Sequence, residues 1–591
     1  MRRQTLLTLA SALLYGAVHG QKESSPRCRC VPGENCWPSE AVWNDFSSSI
    51  GGRLIKSVPV AASCYEGPLK DEKQCAHVNS MWPQQEFQTG QPLGRWYPFN
   101  MTCPPVGAGQ GAASCTLGQL PAYAVQVTER RDISETLEFA RRHNVRVAVV
   151  NTGHDLNGRA DGYGSLAIWM HHFRNAVGFE DRFESATGCE RSGWDGHAMH
   201  IDGGWQWRDV HKVAEAHGVL VVGAGSSSLG ATGGWLSGGG HGPASRNYGL
   251  GADQLLEAEV MLANGTVVTA NHCQHPRLFR ALRGGGPGYG IVLGTKVKAY
   301  PNVKVVTSHR LAISPVEKTA NNSHLLDAVA VMLQSHPDLN EAGYAGYGFW
   351  FRELPVQFIG NATSGYTHSL WTIGKGRAEA EAAFAPVRER LAGFEGKLVV
   401  NESFAEYGDY WSFYRAEADR ADTPGDTLLL TSRMMERRSV QDYAGVRRAV
   451  EAMSGKPEEH VMNLVMLVSG GRVSEDDASS GLNPAWRTAP MVLTTGRRVA
   501  RTATAAERKA VADDVTFVKG AAARELAPGT GGYMNEGDGN DPDYVEAFYG
   551  DAYDGHLEAK RTYDPERVFY CPTCVGADEF VDRPDGALCR V

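Results

Sequence analysis

The chain has 591 residues, a formal net charge of −9 and 68 glycines. A chain of this length can bury large cores, and we expect two domains, one of them interrupted by the other. Because the net charge is negative, we expect no basic surface that would bind nucleic acid or an anionic membrane. The glycines cluster between residues 150 and 300. This clustering indicates ligand-binding loops, because the glycines are not spread along the chain as in a flexible linker.

The N-terminus predicts a secretory signal peptide over residues 1–20. Two arginines precede an apolar run from Leu6 to Leu14, and small residues follow up to Gly20, which is typical of a cleaved signal. The apolar run is too short to span a bilayer. We therefore expect a secreted, extracellular, monomeric protein that carries N-glycans. The acceptor sequons begin at Asn100, Asn264, Asn321, Asn361 and Asn401.

The twelve cysteines are concentrated at the two ends of the chain. In a secreted protein this distribution predicts disulfide bonds that staple the ends together. The spacing leaves the pairing open, and Cys189 or Cys273 is a candidate for a free thiol. The runs Cys571-Pro-Thr-Cys574 and His272-Cys-Gln-His275 resemble metal-ligand spacings. Neither run has a second matching pair, so we predict no metal site and keep a secreted metalloprotein as the weakest alternative.

Residues 21–118 have few periodic segments and predict an irregular, Cys-bearing arm. A β-α-β pattern then opens the segment 119–300, with strands at 124–127 and 145–150 and a helix from Asp132 to His143. Asp132 is expected to cap this helix, with Glu135 completing a capping box. The buried face of the helix is expected to carry Ile133, Leu137 and Ala140.

Later in the same segment, we predict a helix from Trp207 to His217, a strand at 219–222 and a hairpin between Leu255 and Ala270. Asn264-Gly265 predicts a tight turn of the primed type in this hairpin.

Residues 301–530 change to longer helices and well-spaced strands, and we interpret them as a second domain. Its predicted strands lie at 344–351 and 463–468, and its predicted helices at 378–391 and 439–453. Residues 531–591 return to aromatic and glycine-bearing loops, with a helix at 555–562 and a stop signal at Pro565.

Three glycine-rich stretches cover 151–165, 230–242 and 283–292. Glycine tolerates positive φ and close backbone approach, which lets several amides converge on a phosphate. Neither of the first two stretches has the P-loop or Rossmann pattern. Taken alone, each is equally well explained as a structural turn.

Taken together and in order, these blocks resemble the vanillyl-alcohol-oxidase or PCMH type of FAD-linked oxidoreductases, in the berberine-bridge-enzyme-like, fungal secreted form. The closing stretch around Tyr533-Met534-Asn535 and Tyr563-Asp564-Pro565 resembles the same family. The resemblance covers roughly residues 120–300 and 525–575. The other matching blocks are Thr152-Gly-His-Asp155, Gly233 to Gly240, Tyr248 to Asp253 and Arg283 to Gly286.

The resemblance implies an α+β fold with a two-lobed FAD-binding domain at 119–300, completed by residues 531–591. An α/β substrate domain, an antiparallel sheet covered by helices, would be inserted at 301–530. It also implies FAD as the cofactor, with an 8α-histidyl bond to His154. The residues assigned to FAD binding are Asn151, Thr152, Gly153, His154, Asp155, Gly158, Arg159, Gly164, Ser165, Ser227, Gly230, Gly233, Gly234, Ser237, Gly240, His241, Gly242, Gly290, Ile291 and Val292.

Many members of this family add a second flavin bond from a cysteine eight positions before the residue that opens the Ser-Gly-Gly-Gly run. Counting back from Trp235 leads to Ser227. Because a serine cannot form the thioether, the sequence predicts a single covalent link.

The function implied is an oxidase that takes a hydride from an alcohol or other activated C–H substrate and passes electrons to O2, giving H2O2. The alternatives are a dehydrogenase with poor O2 reactivity and a flavin-retaining binding or cyclisation protein. Tyr533, Asn535 and Tyr347 are the catalytic candidates. Tyr347 shares a strand face with Phe349, Phe351 and Glu353. Such a face suits a compact apolar substrate, but it more often belongs to a plain core.

Overall fold

The computed structural model describes residues 28–107, 114–317, 321–354, 359, 362–419 and 423–591. The predicted signal peptide and the sequon at Asn361 lie outside the described residues. Within the described part of the chain, no helix is both long and apolar enough to cross a membrane.

The first sheet joins the N-terminal arm to the predicted β-α-β unit. Its strand order is β1-β2-β4-β3, with β1 antiparallel to β2 and the other pairs parallel. The arm is not irregular throughout as predicted, since it contains three α-helices and a strand. Its Trp43 and Phe46 are buried, and Phe46 stacks on Phe139 at 4.2 Å. The elements are α1 (Glu40–Ser49), β1 (Leu54–Lys56), α2 (Glu72–Met81), α3 (Gln85–Thr89), β2 (Tyr123–Gln126), α4 (Arg130–Arg142), β3 (Val147–Val150) and β4 (Leu166–Trp169).

Helix α4 begins earlier than predicted, with Glu129 as its N-cap. Asp132 is therefore the third residue of the helix and not its cap. Its buried carboxylate accepts from the backbone amides of Thr128 and Glu129 and pairs with Arg53, which satisfies amides that the first turn leaves without partners. The predicted apolar face of Ile133, Leu137 and Ala140 is confirmed as buried.

The second sheet has the order β5-β6-β10-β8-β9, and β7 pairs with the end of β10. The predicted hairpin is present, but its turn is not of the primed type. Gly265 has a φ of 82° and donates to Leu262 O, whereas Asn264 is not among the described residues with positive φ. The elements are β5 (Val177–Glu180), β6 (Ala198–Asp202), α5 (Trp207–Ala216), β7 (Val219–Val221), α6 (Gly234–Ser237), α7 (Ser245–Tyr248), α8 (Gly251–Gln254), β8 (Leu255–Met261), β9 (Val267–Ala270), α9 (Pro276–Ala281) and β10 (Ile291–Pro301).

The third sheet has seven antiparallel strands in the order β14-β11-β13-β12-β16-β17-β15. Side chains alternate across it, so that Trp350 and Leu370 pack with the helices on one face. This arrangement confirms the expected antiparallel sheet covered by helices. The elements are β11 (Val306–Pro315), α10 (Ser323–Glu341), β12 (Tyr344–Phe351), β13 (Gly365–Ile373), α11 (Arg377–Ala392), β14 (Leu398–Tyr407), α12 (Tyr410–Phe413), β15 (Leu428–Met435), α13 (Tyr443–Ser454), β16 (Met462–Leu467), α14 (Ala485–Thr488), β17 (Met491–Arg498), α15 (Ala505–Asp514) and α16 (Gly520–Leu526).

The C-terminal segment returns to the first two sheets. Lys560 is buried and donates to Gly288 O and Phe569 O at 2.7 Å each, which ties the segment to the third glycine-rich stretch. The elements are α17 (Tyr544–Tyr549), α18 (Tyr553–Tyr563), β18 (Phe580–Asp582) and β19 (Leu588–Arg590).

All twelve cysteines lie within the described residues and are paired, so the expectation of a free Cys189 or Cys273 was wrong. These two form a disulfide with each other, and Cys571 pairs with Cys574. Cys28 pairs with Cys589, which confirms that a disulfide joins the two ends. The remaining pairs are Cys30–Cys36, Cys64–Cys75 and Cys103–Cys115.

A chain of buried histidines crosses the core of the third sheet. His368 lies 3.3 Å from His309 and 3.2 Å from Tyr366 OH, which in turn lies 3.2 Å from His336. Burial lowers the pKa of His309 and of His336 to about 3, and it lowers that of His368 as well. The folded protein therefore holds these imidazoles neutral, whereas the unfolded chain protonates them near pH 6.5.

We predict that the free energy of unfolding falls as the pH drops from 6.5 toward 3. The pKa values of these histidines are lower in the folded protein than in the unfolded chain. Their contribution to the free energy of unfolding is therefore fully present above pH 6.5. Below pH 6.5, each histidine lowers the free energy of unfolding by up to about 1.4 kcal/mol per pH unit. Denaturant unfolding between pH 7.5 and 4.5 measures this slope. His336→Gln should flatten it, and His324→Gln, which alters a half-exposed histidine, should not. Equal slopes for wild type and His336→Gln would contradict the prediction.

Candidate functional site

A cavity of about 500 Å³ lies where the glycine-rich stretches, the third sheet and the closing segment meet. It brings together most of the predicted site residues, including the catalytic candidates Tyr347, Tyr533 and Asn535. The predicted cofactor residues in its wall are Asn151, Thr152, Gly153, His154, Asp155, Arg159, Gly230, Gly233, Gly234, Ser237, His241, Gly290, Ile291 and Val292.

The remaining predicted cofactor residues do not line the cavity. A Cβ on Gly242 would lie 1.8 Å from Gly223 O, so this glycine is required by close backbone packing. Gly164 has a φ of 65° and packs on Pro32, and Ser165 is completely buried. These positions shape the loops instead of forming the wall. The full set is Gly158, Gly164, Ser165, Ser227, Gly240 and Gly242.

His154 follows β3 and is held from two sides. Its ring stacks on Trp96 with the ring centres 3.7 Å apart, and its Nε2 lies 2.9 Å from Ser228 Oγ. Burial, and secondarily the charge of Arg208, lowers the pKa of His154 to about 3. The imidazole is therefore neutral at ordinary pH. None of the hydrogen bonds between described residues uses its Nδ1.

Several polar atoms in the wall have no partner among the described residues. These atoms are Asn151 Oδ1, Arg159 Nε and Ser237 Oγ, all of them buried. Buried polar groups of proteins normally have a hydrogen-bond partner. A Cβ on Gly233 or Gly234 would meet no atom within 4 Å, so bare backbone borders open space here. This wall fits a large ligand that is rich in oxygen and nitrogen atoms.

One face of the third sheet packs on the helices, and the opposite face forms an apolar wall of the cavity. Both faces are used because successive side chains along a strand point to opposite sides of the sheet. Tyr347 and Phe349 of β12 line the cavity as predicted for this face, whereas Trp350 points to the helices. The wall also includes Ser369 and Trp371 of β13 and Leu464 and Met466 of β16.

Tyr533 is buried at the end of a hydrogen-bonded chain. Asn535 Nδ2 donates to Tyr533 OH at 3.0 Å, and Arg159 donates to Asn535 Oδ1 at 3.2 Å. Burial and the nearby Glu536 raise the pKa of Tyr533, and the bond from Asn535 opposes this shift. Tyr533 is therefore a neutral phenol at ordinary pH, oriented by the first glycine-rich stretch.

Sequence reasoning did not single out Trp96, Ser228, Glu417 and Glu536, each of which contacts or lines the site. Glu536 directly follows the predicted Asn535, so its position offered a signal. Trp96 lies in the arm, and Glu417 lies in a π-helical turn at Tyr414–Ala418. Neither of these segments carries a periodic pattern that would point to a cavity.

A buried neutral histidine, bare glycine backbone and polar atoms without partners among the described residues surround one large cavity and fit a large polar cofactor. Comparisons with known families agree. The family described as "FAD binding domain" matches residues 121–271, and "Berberine and berberine like" matches residues 532–576.

The chain belongs to the FAD-linked oxidoreductases of the vanillyl-alcohol-oxidase and berberine-like family, and it is an enzyme of that class. It is 58% identical to FAD-linked oxidoreductase hmp9 of Hypomyces subiculosus over 96% of this chain and 91% of the relative. The crystal structure of the VAO-type flavoprotein MtVAO713 from Myceliophthora thermophila C1 is 57% identical, with a TM-score of 0.95 over 96% of this chain and 100% of that chain.

A more distant structure shares the fold alone. Glucooligosaccharide oxidase from Acremonium strictum is 15% identical, with a TM-score of 0.61 over 77% of this chain and 92% of that chain, and its FAD is 6-S-cysteinyl and 8α-N1-histidyl.

The residue before Trp96 anchors the arm to the first glycine-rich stretch. Arg95 is buried and donates to Asp161 Oδ1 at 2.8 Å and to Ala160 O at 3.0 Å. Trp96 N donates to Gly153 O at 2.8 Å, so Arg95 also holds the ring on which His154 stacks.

We predict that Arg95→Ala lowers the free energy of unfolding by about 3 to 5 kcal/mol, because Asp161 is left as an unpaired buried charge. Arg377→Ala is the matched control, since its pair with Glu381 is exposed and contributes less than about 1 kcal/mol. Denaturant unfolding at pH 7 compares the two variants, and equal losses would contradict the prediction.

Proposed function

We propose that this protein is a secreted oxidase that holds FAD through one covalent bond, at His154. The observation that carries the proposal is the state of this histidine: buried, neutral, stacked on Trp96 and engaged at Nε2 by Ser228. A neutral imidazole with Nδ1 left without a hydrogen bond among the described residues suits a nitrogen that forms a covalent bond. FAD bound at this site would supply the hydride acceptor for substrate oxidation and the electron transfer to O2 that gives H2O2.

The absence of a second link is supported by the cysteines. Every cysteine of the chain, all within the described residues, is already in a disulfide, and the position that would supply a thioether is Ser227. Ser227 N lies 3.4 Å from Asp419 Oδ1, whereas the neighbouring Ser226 lines the cavity. In this proposal the serine run positions His154 through Ser228 and forms no bond to the cofactor.

The residues of the wall have distinct proposed roles. Backbone amides of the first two glycine-rich stretches, together with Asn151, Arg159 and Ser237, would hold the polar parts of FAD. The apolar wall of the third sheet would bind the substrate. Tyr533 and Tyr347 would contact its reacting hydroxyl, with Asn535 orienting Tyr533. These assignments favour an alcohol on a compact, apolar skeleton.

The domain boundaries and the cellular location are part of the same proposal. The FAD-binding domain would comprise 119–300 and 531–591, with the substrate domain at 301–530. Six disulfides support an oxidising compartment. We propose a monomer that carries N-glycans, and the glycans are supported by the exposure of every described sequon asparagine, namely Asn100, Asn264, Asn321 and Asn401.

We predict that acid-precipitated wild-type protein stays yellow and that a His154 peptide carries the flavin mass. His154→Ala should give a colourless pellet with free FAD in the supernatant, because the covalent bond is lost. His324→Ala, an exposed change on α10, should behave as wild type. A colourless wild-type pellet would refute the covalent bond.

We also predict that an apolar alcohol bleaches the flavin of the wild-type protein without oxygen and yields one H2O2 per product in air. The measurement is a screen of alcohols, sugars and phenolic compounds, read first by flavin absorbance and then by peroxide. Bleaching without peroxide in air would identify a dehydrogenase. A flavin that no compound bleaches would indicate a non-redox binding protein.

A further inference from the structure

A second cavity, of about 260 Å³, lies between β10, α7 and the 3-10 turns Glu190–Ser192 and Gly471–Ser474. Within the described part of the chain, it shares no lining residue with the larger cavity around His154. We propose that the second cavity binds a small aromatic carboxylate through Lys298 and Arg472. This site goes beyond the proposed oxidase, because none of its residues belongs to the wall assigned to FAD and substrate.

Lys298 is a half-buried lysine in the wall of the second cavity. Its Nζ lies over the ring of Trp194, 5.6 Å from the ring centre, and makes no hydrogen bond or ion pair with any described residue. Burial, followed by the charge of Arg283, lowers the pKa of Lys298. An aromatic ring attracts a cation but offers no hydrogen-bond acceptor. The ammonium protons of Lys298 therefore remain available to a ligand.

Two carboxylates act electrostatically on Lys298, namely Asp253 and Asp477, but both already have arginine partners. Asp253 accepts from Arg487 at 2.8 and 3.1 Å. Asp477 forms an ion pair with Arg283. Because each carboxylate is balanced by its own guanidinium, neither provides a counter-ion for Lys298. The charge of this lysine is thus left for an anion in the cavity to balance.

Arg472 brings a second positive charge to the same cavity. Its charge acts on Lys298 and contributes to lowering the pKa of that lysine. The turn that carries Arg472 is tightly fixed, because a Cβ on Gly471 would lie 2.5 Å from Arg246 O. Arg472 pairs with Glu475, but both side chains are more than half exposed, and such pairs are weak. The guanidinium can therefore turn to an anion at little cost.

Two neutral side chains of α7, Asn247 and Tyr248, add hydrogen-bond donors to the wall. Asn247 Oδ1 is buried and has no partner among the described residues. A half-turn of this amide exchanges its oxygen and nitrogen, so the side chain can present two N–H groups. Burial raises the pKa of Tyr248, and no hydrogen bond between described residues uses its hydroxyl. Buried polar groups normally have partners, so these donors favour a ligand with acceptor oxygens.

The rest of the wall favours an aromatic ring on the ligand. The ring centre of Tyr300 lies 5.2 Å from that of Trp194 and 4.4 Å from that of Tyr248. The hydroxyl of Tyr300 donates to Gln254 Oε1 at 2.9 Å, so this residue offers the cavity its ring. Aromatic pairs gain energy beyond the area that they bury. A carboxylate on an aromatic ring therefore matches both the donors and the rings of this cavity.

The loop that carries Trp194 is held in place without a ligand. The disulfide Cys189–Cys273 closes the chain just before this tryptophan, and Trp194 Nε1 donates to His197 O at 2.9 Å. Because the ring that faces Lys298 is already fixed, binding would order few additional groups. A wall that is formed in advance reduces the entropic cost of association.

The test uses the flavin-loaded protein and benzoate at pH 7, where benzoate is ionised. Titration calorimetry measures its affinity, and flavin absorbance reveals any binding in the larger cavity. Benzoate should bind at one site per chain without changing the flavin spectrum. Acetate lacks the ring and benzyl alcohol lacks the charge, so each should bind at least about 10-fold more weakly than benzoate.

Lys298→Met keeps an apolar stem and removes the ammonium group, so it should weaken benzoate binding by at least about 10-fold. Its Tm and flavin content should match the wild type, because Lys298 has no ion pair with a described residue to lose. Arg472→Gln changes an exposed residue, should weaken binding at least about 3-fold, and carries the test if Lys298→Met does not fold. Lys304→Met removes the same charge from an exposed residue just after β10. It is the matched control and should keep the wild-type affinity.

Three results would overturn the site. The first is a wild-type protein that shows no saturable benzoate binding, or only binding that changes the flavin spectrum and survives in Lys298→Met. The second is an unchanged affinity in Lys298→Met or, if that variant does not fold, in Arg472→Gln. The third is an affinity for acetate or inorganic phosphate equal to that for benzoate, which would refute an aromatic ligand. None of these results depends on whether the protein oxidises an alcohol.

Discussion

The site depends on one buried ammonium group. Lys560 lies inside α18 and donates to Gly288 O, Phe569 O and Asp564. Three acceptors compensate a charge that would otherwise be very costly to bury. Because these acceptors belong to the third glycine-rich stretch and to the chain after α18, the closing segment has one favourable docking position. That position places Tyr533, Asn535 and Glu536 in the wall of the cavity.

The two walls of the cavity differ in physical character. The glycine-rich side presents bare backbone and polar atoms without partners among the described residues, an arrangement that is costly until a polar ligand satisfies it. The third sheet presents phenol, indole and aliphatic side chains. The contents of the cavity must therefore be polar where they contact the glycine-rich wall and apolar where they contact the third sheet. FAD with an apolar substrate beside it has this composition.

The arm is a structural part of the site and not an appendage. Trp96 stacks on His154, and Arg95 is buried against Asp161. Disulfides close the arm on itself and onto the C-terminus, which limits the conformations of a segment whose helices are short. The position of His154 is therefore set partly by residues that lie about sixty positions earlier in the chain.

The sequence by itself indicated the class of protein and His154 as the candidate attachment site, through the resemblance of its ordered glycine-rich blocks to a known family. It also predicted several of the helices and strands, because the spacing of apolar residues acts locally, over a few positions. It also led to Tyr347, Tyr533 and Asn535, although it carried no information on how they meet. Only the tertiary structure decided that His241 lies between Tyr347 and Glu536, that Cys189 pairs with Cys273 and that Asp132 lies inside α4. The first two contacts join segments separated by up to 295 positions, and the third depends on Arg53 from another segment. Such long-range contacts follow from packing, which no local pattern encodes.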